Sequence, residues 1–216
     1  MVATDMRCAI IGAGSYGQVY YSYLKKAGIN IVAFIDDNPD LLGKYVLGVP
    51  VIGNTDLLSV LKDKYSIEAV YCPIGNNKVR VKLLEKAKLN GLNTPCYIDE
   101  TVIIANDTII GEGVYILGGT HVMPFVKIDD FVMISVSSNI IHHSILGKGT
   151  FISNAVNFGA FVESEECAFV GMGATVMTGV KRIGKNSIVG AGSVVIKDVP
   201  DNSVVAGVPA RVIKEF

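Results

Sequence analysis

Two adjacent histidines and one glycine-rich turn are the parts of this sequence that could perform chemistry. His142 and His143 lie in the segment NIIHHSILGKGTFIS, and an imidazole, which titrates near neutral pH, can act as a general base. The segment GAGSYG places Gly12, Gly14 and Gly17 in the pattern G-x-G-x-x-G, which lets backbone N–H groups approach a phosphate at the start of a helix. The sequence therefore predicts a proton acceptor and a nucleotide site.

The predicted nucleotide site draws on two segments in the first half of the chain. Asp36 and Asp37 end a predicted strand 22 residues beyond Gly14, where a carboxylate can bind a ribose hydroxyl. A dinucleotide needs two mononucleotide-binding halves, and this part of the chain has room for one, so we expect a single nucleotide. A purely structural glycine turn is the alternative. Four residues would bind phosphate through their backbone N–H groups: Ala13, Gly14, Ser15 and Tyr16.

The pattern of predicted secondary structure changes near residue 100. Strand patterns (RCAIIG, INIVAFID, EAVYCPIG) alternate with helix patterns (GQVYYSYLKK, NKVRVKLLEKAKLNG) ahead of that point. Such alternation predicts a parallel sheet with right-handed crossover connections. We therefore assign residues 1–101 to a small Rossmann-like α/β domain that binds the nucleotide.

From residue 104 onward, aliphatic residues recur at every sixth position, and a small or β-branched residue follows four positions later. The row is broken at Ser164 and is shifted by one residue ahead of Ile183. Such short repeats predict a β-solenoid over residues 102–216, with about five coils. An antiparallel β-sandwich would need hairpin turns and alternating faces, and is the disfavoured alternative. The repeat positions are Ile104, Ile110, Ile116, Val122, Ile128, Ile134, Ile140, Leu146, Ile152, Phe158, Ser164, Val170, Val176, Ile183, Val189 and Val195.

Composition and charge exclude several classes of function. Nineteen basic residues against twenty acidic ones give a net charge of −1, which excludes the basic surface of a general nucleic-acid binder. No apolar run is long enough to cross a membrane, and the N-terminus lacks a signal-peptide pattern. The four cysteines form no C-x-x-C pair, which indicates thiols in a reducing cytoplasm. No histidine or cysteine cluster has metal-ligand spacing, so we expect no metal.

Several segments together make the chain similar to a known family. They are IIGAGSYGQV, VAFIDDNPD, VPVIGN (which contains Gly53), IIHHSILG and the tail GAGSVVIKDVPDNSVVAGVPARVI. The chain resembles the bacterial sugar-nucleotide acetyltransferases of the sialic acid O-acetyltransferase (NeuD/PglD) type. This resemblance implies a left-handed parallel β-helix built from hexapeptides, acetyl-CoA as the co-substrate, a nucleotide-linked sugar as the acceptor, and a homotrimer with active sites at the subunit interfaces.

The resemblance also implies roles for individual residues. His142 falls on the family's catalytic base, whereas His143 stands where the family usually has Asp or Glu to orient that base. Phe151 replaces a histidine that relatives place near the thioester, and it would pack against the pantetheine. Met172, Gly190 and Ala191 fall on cofactor-binding positions, where contacts run largely through the backbone. Gly53 falls on the part that binds the nucleotide sugar.

We predict that the chain transfers acetyl to the 4-amine of a nucleotide-linked amino-deoxy sugar in bacterial surface-glycan synthesis. O-acetylation of sialic acid or another sugar hydroxyl is the first alternative, and a catalytically silent scaffold is the second. Because a hydroxyl is far less acidic than an ammonium, it needs a stronger base than a His–His pair supplies, which favours N-acetylation. Phe131, Phe161 and Phe169 are expected on outer faces, where apolar side chains would support the trimer.

Overall fold

The computed structural model describes residues 6–216, which divide into two compact units, one up to Pro95 and one from Cys96. The division lies ahead of the expected boundary at residue 101. The reason is that the solenoid begins one hexapeptide earlier than expected. Tyr97–Ile98 pair in register with Tyr115–Ile116, and Ile98 stands six residues before Ile104, the first predicted repeat position.

The N-terminal unit is built on a three-stranded parallel sheet, as the alternating pattern predicted. The helix Ser15–Lys26 buries Gly17, Tyr20, Tyr21 and Leu24, a spacing that places them on one helical face. In the sheet, the strand Arg7–Ile11 lies between Asn30–Ile35 and Ala69–Tyr71. The elements are β1 (Arg7–Ile11), α1 (Ser15–Lys26), β2 (Asn30–Ile35), the hairpin β3 (Tyr45–Val46) and β4 (Val49–Pro50), α2 (Leu61–Tyr65), β5 (Ala69–Tyr71) and α3 (Asn77–Leu89), with short 3-10 helices at Pro39–Leu41 and Thr55–Ser59.

The second unit is a parallel β-solenoid in which each face of a three-sided prism receives one two-residue strand per coil. We name the three sheets I, II and III in the order in which the chain visits them. Sheet I contains Tyr97–Ile98, Tyr115–Ile116, Met133–Ile134, Phe151–Ile152, Phe169–Val170, Ile188–Val189, Ser203–Gly207 and the antiparallel Ala210–Glu215. Sheet II contains Ile103–Ile104, His121–Val122, Asn139–Ile140, Asn157–Phe158, Thr175–Val176 and Val194–Val195. Sheet III contains Ile109–Ile110, Lys127–Ile128, Ile145–Leu146, Glu163–Ser164 and Arg182–Ile183.

The repeat positions form the solenoid core, which confirms the hexapeptide interpretation. Ser164, which interrupts the aliphatic row, is fully buried, and its hydroxyl lies 3.0 Å from the hydroxyl of Thr150. The small residues four positions later are also buried, apart from the half-buried Thr108, and several donate hydroxyl hydrogen bonds to backbone carbonyls, as Ser138 does to Ser153 at 2.8 Å. A hydroxyl thus fits inside the prism because the same corner of the next coil offers an acceptor.

The outer aromatic residues differ from the expectation at one position. Phe161 is 63% exposed and Phe169 is half-buried, but Phe131 is only 1% exposed. Phe131 occupies a corner with φ of 62°, and the ammonium group of Lys148 lies 5.4 Å from the centre of its ring. The prediction that Phe131 lies on an outer face was therefore wrong, because this corner turns the ring under neighbouring side chains.

Candidate active site

His142 and His143 occupy the turn between sheets II and III, on a corner of the prism that we name the histidine edge. This edge consists of the turns at residues 105–108, 123–126, 141–144, 159–162 and 177–181. His142 is half-buried and His143 is exposed. Their Nδ1 atoms lie 3.0 Å apart, and their rings are perpendicular, with centroids 5.2 Å apart. The structure therefore joins the two predicted catalytic residues directly.

This hydrogen bond determines which nitrogen of His142 can act as a base. If His143 accepts at Nδ1, His142 carries its proton on Nδ1, and its Nε2 keeps a lone pair. The reverse arrangement would protonate Nε2 and remove the base. Within residues 6–216, Nε2 of His142 makes no hydrogen bond. His143 can therefore orient His142 as a carboxylate would, although it brings no negative charge.

Two phenylalanine rings flank the histidines on the same edge, one coil to either side. Phe125 and Phe161 each stand 18 residues from His143. The ring centroids of Phe125 and Phe161 both lie 4.8 Å from that of His143. The 18-residue spacing would have revealed this stack in the sequence, but it was not among the predictions.

The predicted cofactor residues lie elsewhere on the solenoid. Met172, Gly190 and Ala191 belong to turns between sheets I and II, a corner that we name the cofactor edge. Met172 and Ala191 are exposed, and the carbonyl of Met172 accepts a hydrogen bond of 2.8 Å from the N–H of Gly192. Phe151, in sheet I, is 7% exposed and packs edge-on against Phe169 at 5.3 Å. One chain thus presents the histidines and the cofactor residues on two different edges.

The glycine-rich turn contains two glycines that the fold requires, Gly12 and Gly17, and one that it does not require, Gly14. Gly12 has φ of 98°, and a Cβ on Gly17 would collide with the carbonyl oxygen of Gly12. Gly14 has an ordinary φ of −68°, and a Cβ there would meet no atom within 4 Å. Gly14 precedes α1 without a side-chain cap. The helix N-terminus, with the Ser15 and Tyr16 amides in its first turn, therefore faces open space of the kind an anion can enter.

Asp36 and Asp37 hold the loops around this turn through hydrogen bonds. Asp36 accepts the N–H of Ala13 at 2.7 Å through Oδ2 and the N–H of Asn38 at 2.8 Å through Oδ1. Asp37 accepts the N–H of Thr55 at 2.8 Å. The N–H of Ala13 is thus engaged by a carboxylate in this structure, so that it is not directed at a phosphate.

Gly53 belongs to the same cluster of loops. Its carbonyl accepts the N–H of Asp36 at 2.9 Å, and a Cβ on Gly53 would approach Leu57 to 2.5 Å. A side chain at residue 53 would therefore push against the loop that Asp37 holds. These contacts explain why the segment following β4 closes on a glycine.

Comparison with known proteins decides the family. Residues 7–87 match the PglD N-terminal domain. The chain is 31% identical to a GDP-perosamine N-acetyltransferase from Caulobacter crescentus, with 98% of each chain covered and a TM-score of 0.91. The chain belongs to the PglD-type sugar acetyltransferases. That structure, in which one histidine is replaced by alanine, holds CoA and GDP-perosamine.

Two curated relatives of this PglD-type chain extend the comparison. The GDP-perosamine N-acetyltransferase of Escherichia coli O157:H7 is 29% identical over 217 residues, with 95% of each chain covered. The galactoside O-acetyltransferase of Escherichia coli K12 is 40% identical over 85 residues, but this match covers 39% of the PglD-type chain and 38% of that enzyme. The full-length likeness therefore lies with the N-acetyltransferases.

Residues 6–216 contain neither a membrane-spanning helix nor a cluster of metal ligands. No helix in this range is long and apolar enough to cross a membrane. No group of three or more histidine, cysteine, aspartate or glutamate side chains in the same range is arranged to hold a metal ion.

Proposed function

We propose that the protein transfers the acetyl group of acetyl-CoA to the amino group, at C4, of a nucleotide-linked amino-deoxy sugar. The observation that carries this proposal is the hydrogen-bonded His142–His143 pair on the edge of a β-helix. The full-length relatives support the acceptor class, since two of them are GDP-perosamine N-acetyltransferases.

The mechanism needs one proton acceptor and a tetrahedral intermediate. The sugar amine attacks the thioester carbonyl, and Nε2 of His142 accepts the proton that the amine loses. The carbon–sulfur bond then breaks, and CoA leaves as a thiolate that takes up a proton. Holding both substrates together supplies most of the acceleration, and the base adds about 10²- to 10⁴-fold. No acyl-enzyme is required.

The substrates are assigned to the two units by their local chemistry. The open N-terminus of α1 at Gly14 to Tyr16 supports binding of the nucleotide phosphates in the N-terminal unit. The exposed cofactor edge at Met172, Gly190 and Ala191, with Phe151 on the adjoining sheet, supports binding of acetyl-CoA by the solenoid. We place the protein in the cytoplasm, because its four cysteines are free thiols.

We also propose a homotrimer with active sites between neighbouring subunits. The two edges that carry the site residues lie on different corners of one prism. A neighbouring copy could bring its cofactor edge to the histidine edge of the first. Exposed apolar side chains on both edges support this contact, since Phe161 is 63% and Met172 is 54% exposed.

A direct assay tests the reaction and the atom that is acetylated. Acetyl-CoA is incubated with GDP-, UDP-, dTDP- and CMP-linked 4-amino sugars, and the release of CoA thiol and the mass of the product are measured. An amide product survives mild alkaline hydroxylamine, whereas an ester product is cleaved. Turnover with a cleavable product would support the O-acetyltransferase alternative, and the absence of any turnover would support a silent scaffold.

A further inference from the structure

The left-handed corner position of the histidine edge carries three aromatic rings in succession. Phe125, His143 and Phe161 have φ values of 64°, 60° and 59°. Bulky residues rarely adopt this conformation, which costs free energy that something else must offset. Burial in the solenoid core does not offset it, because Phe125 is 57% and Phe161 is 63% exposed.

The three rings form a stack with His143 in the middle. Phe161 lies 4.8 Å from His143 at an interplanar angle of 21°, and Phe125 lies 4.8 Å away on the other side at 43°. His142 stands perpendicular to both His143 and Phe161, at angles of 90° and 85°. Each face of the His143 imidazole therefore meets a phenyl ring, and the electron-rich part of such a ring is its face.

The surroundings of the histidine pair supply no dedicated negative charge. On the histidine edge, the turns on either side place Pro124 and Ala160 next to His142. On sheet II, Asn139 is flanked by His121 and Asn157. Lys127 and Glu163, one charge of each sign, flank Ile145 on sheet III. In the part of the chain that the structure describes, no carboxylate is hydrogen-bonded or ion-paired to either imidazole.

We propose that Phe125 and Phe161 act as positioning residues that stabilise a positive charge on His143 during acetyl transfer, in place of a carboxylate. A cation within about 6 Å of a phenyl centroid is attracted by the ring quadrupole, and both rings meet this distance. The inference rests on the proposed function, in which His142 is the base.

Two proton transfers accompany the attack of the amine. Nε2 of His142 accepts the proton of the attacking amine, while the Nδ1 proton of His142 is transferred along the hydrogen bond to Nδ1 of His143, 3.0 Å from Nδ1 of His142. His143 then carries the charge between the two phenyl rings. When the carbon–sulfur bond breaks, the thiolate takes the proton from Nε2 of His142, and the Nδ1 proton returns from His143. Both imidazoles are neutral again.

The kinetic test reduces the negative charge on the face of the Phe161 ring while keeping the shape of the ring. Trifluorophenylalanine in place of Phe161 weakens the attraction for a cation, so kcat should fall by about 2- to 5-fold. Phe161→Leu should lower kcat by at least as much. In the His143→Asp background, a carboxylate supplies the charge, and both replacements at Phe161 should leave kcat nearly unchanged. Tyr45→Leu, which removes another exposed ring, serves as the control.

A second measurement does not depend on turnover. The chain contains three histidines, so selective ¹⁵N labelling of histidine gives three sets of imidazole signals in long-range NMR spectra. Trifluorophenylalanine at position 161 should lower the pH midpoint at which the His142–His143 pair takes up its proton, by about 0.5 pH unit. The exposed His121 is the internal reference and should not move.

These outcomes separate the inference from the proposed function. If no nucleotide sugar is acetylated but the NMR midpoint shifts, the proposed reaction fails and the charge stabilisation stands. If trifluorophenylalanine changes neither kcat nor the midpoint, the inference is overturned. The same holds if Phe161→Leu reduces kcat equally in both backgrounds while sedimentation shows that the oligomer is intact. Sedimentation of each variant shows whether Phe161→Leu acts by dissociating the oligomer, in which case the fluorinated ring, which keeps the packing, decides.

Discussion

His142 lies where it can act as a base, and its side chain contributes little to the packing of the fold. It is half-buried on a turn, and its ring contacts are with His143 and Phe161. We therefore expect His142→Ala to lower kcat by about 10²- to 10⁴-fold through loss of the base, while the thermal midpoint of unfolding stays nearly unchanged. Initial rates of CoA release and a thermal melt measure the two quantities.

The matched control for this variant is the third histidine of the chain. His121→Ala removes an exposed imidazole from sheet II, and it should retain the wild-type kcat. Full activity in His142→Ala with an unchanged pH profile would show that the base lies elsewhere and that the amine arrives already deprotonated.

His143→Asp supplies the negative charge that this chain lacks at the position. A carboxylate beside His142 stabilises its protonated form, so the rise of kcat/KM should move to higher pH. At a pH above that rise, activity should be kept or increased, because the base is stronger. A pH profile of kcat/KM for both proteins checks this expectation, and an unshifted profile would argue against direct contact between the residues.

At the scale of single residues, the sequence indicated which residues are candidates for the sites, but it did not indicate which atoms they contact. The position of His142 was available from the segment IIHHSILG. The hydrogen bond between Asp36 and Ala13 was not, because the same carboxylate could bind either a ribose or a backbone N–H. The buried ring of Phe131 was also missed, since a periodicity of six specifies the inward positions and not how a corner side chain turns.

Among the elements, the turn before α1 contains two glycines with different roles, and substituting each of them tests these roles. Gly14→Val should raise the KM for the nucleotide sugar and leave the KM for acetyl-CoA unchanged, because a side chain would enter open space at the helix N-terminus. Gly17→Ala should lower stability, since its Cβ would collide with the carbonyl of Gly12. Steady-state kinetics and thermal melts of both variants distinguish these effects. Equal rises of both KM values in Gly14→Val would contradict the division of substrates between the units.

The sheet of the N-terminal unit buries thiols whose ionisation couples to stability. Burial raises the pKa of Cys72 to about 12 and that of Cys8 to about 11. Because the folded state keeps these protons while the unfolded state releases them near 9.0, the free energy of unfolding should fall as the pH rises from about 9 to 12. Denaturant titrations should show a shallower fall in Cys72→Ala than in the wild type. Parallel pH dependences in the two proteins would show that the Cys72 thiol has the same pKa in the folded and unfolded states.

The elements themselves were the most predictable level of this molecule. Every third hexapeptide returns to the same sheet. The repeat positions from Ile104 to Val195 therefore predicted the core, and they continued to do so after the extra residue ahead of Ile183. The hairpin Tyr45–Val46 with Val49–Pro50 was not predicted. Strands of two residues without a repeat give no periodic signal.

For the whole molecule, the proposed trimer predicts a particle of about 69 kDa, three times the 23.0 kDa of one chain. Sedimentation at the mass of one chain would contradict the trimer. Four apolar residues on the two edges are at least 47% exposed in one chain: Phe125, Phe161, Met172 and Met177. Contact between copies would remove this apolar surface from water.

The location of the active sites can be tested by mixing two inactive chains. His142→Ala removes the base from the histidine edge, and Ala191→Trp fills the cofactor edge, where Ala191 is exposed. If each site takes one edge from each of two neighbours, random mixed trimers should recover about one quarter of the wild-type activity, because that fraction of interfaces pairs two intact edges. The two chains are denatured and refolded together, and each refolded alone is the control. If every site lay within one chain, mixing would restore nothing, because each chain would carry its own defect into its own site.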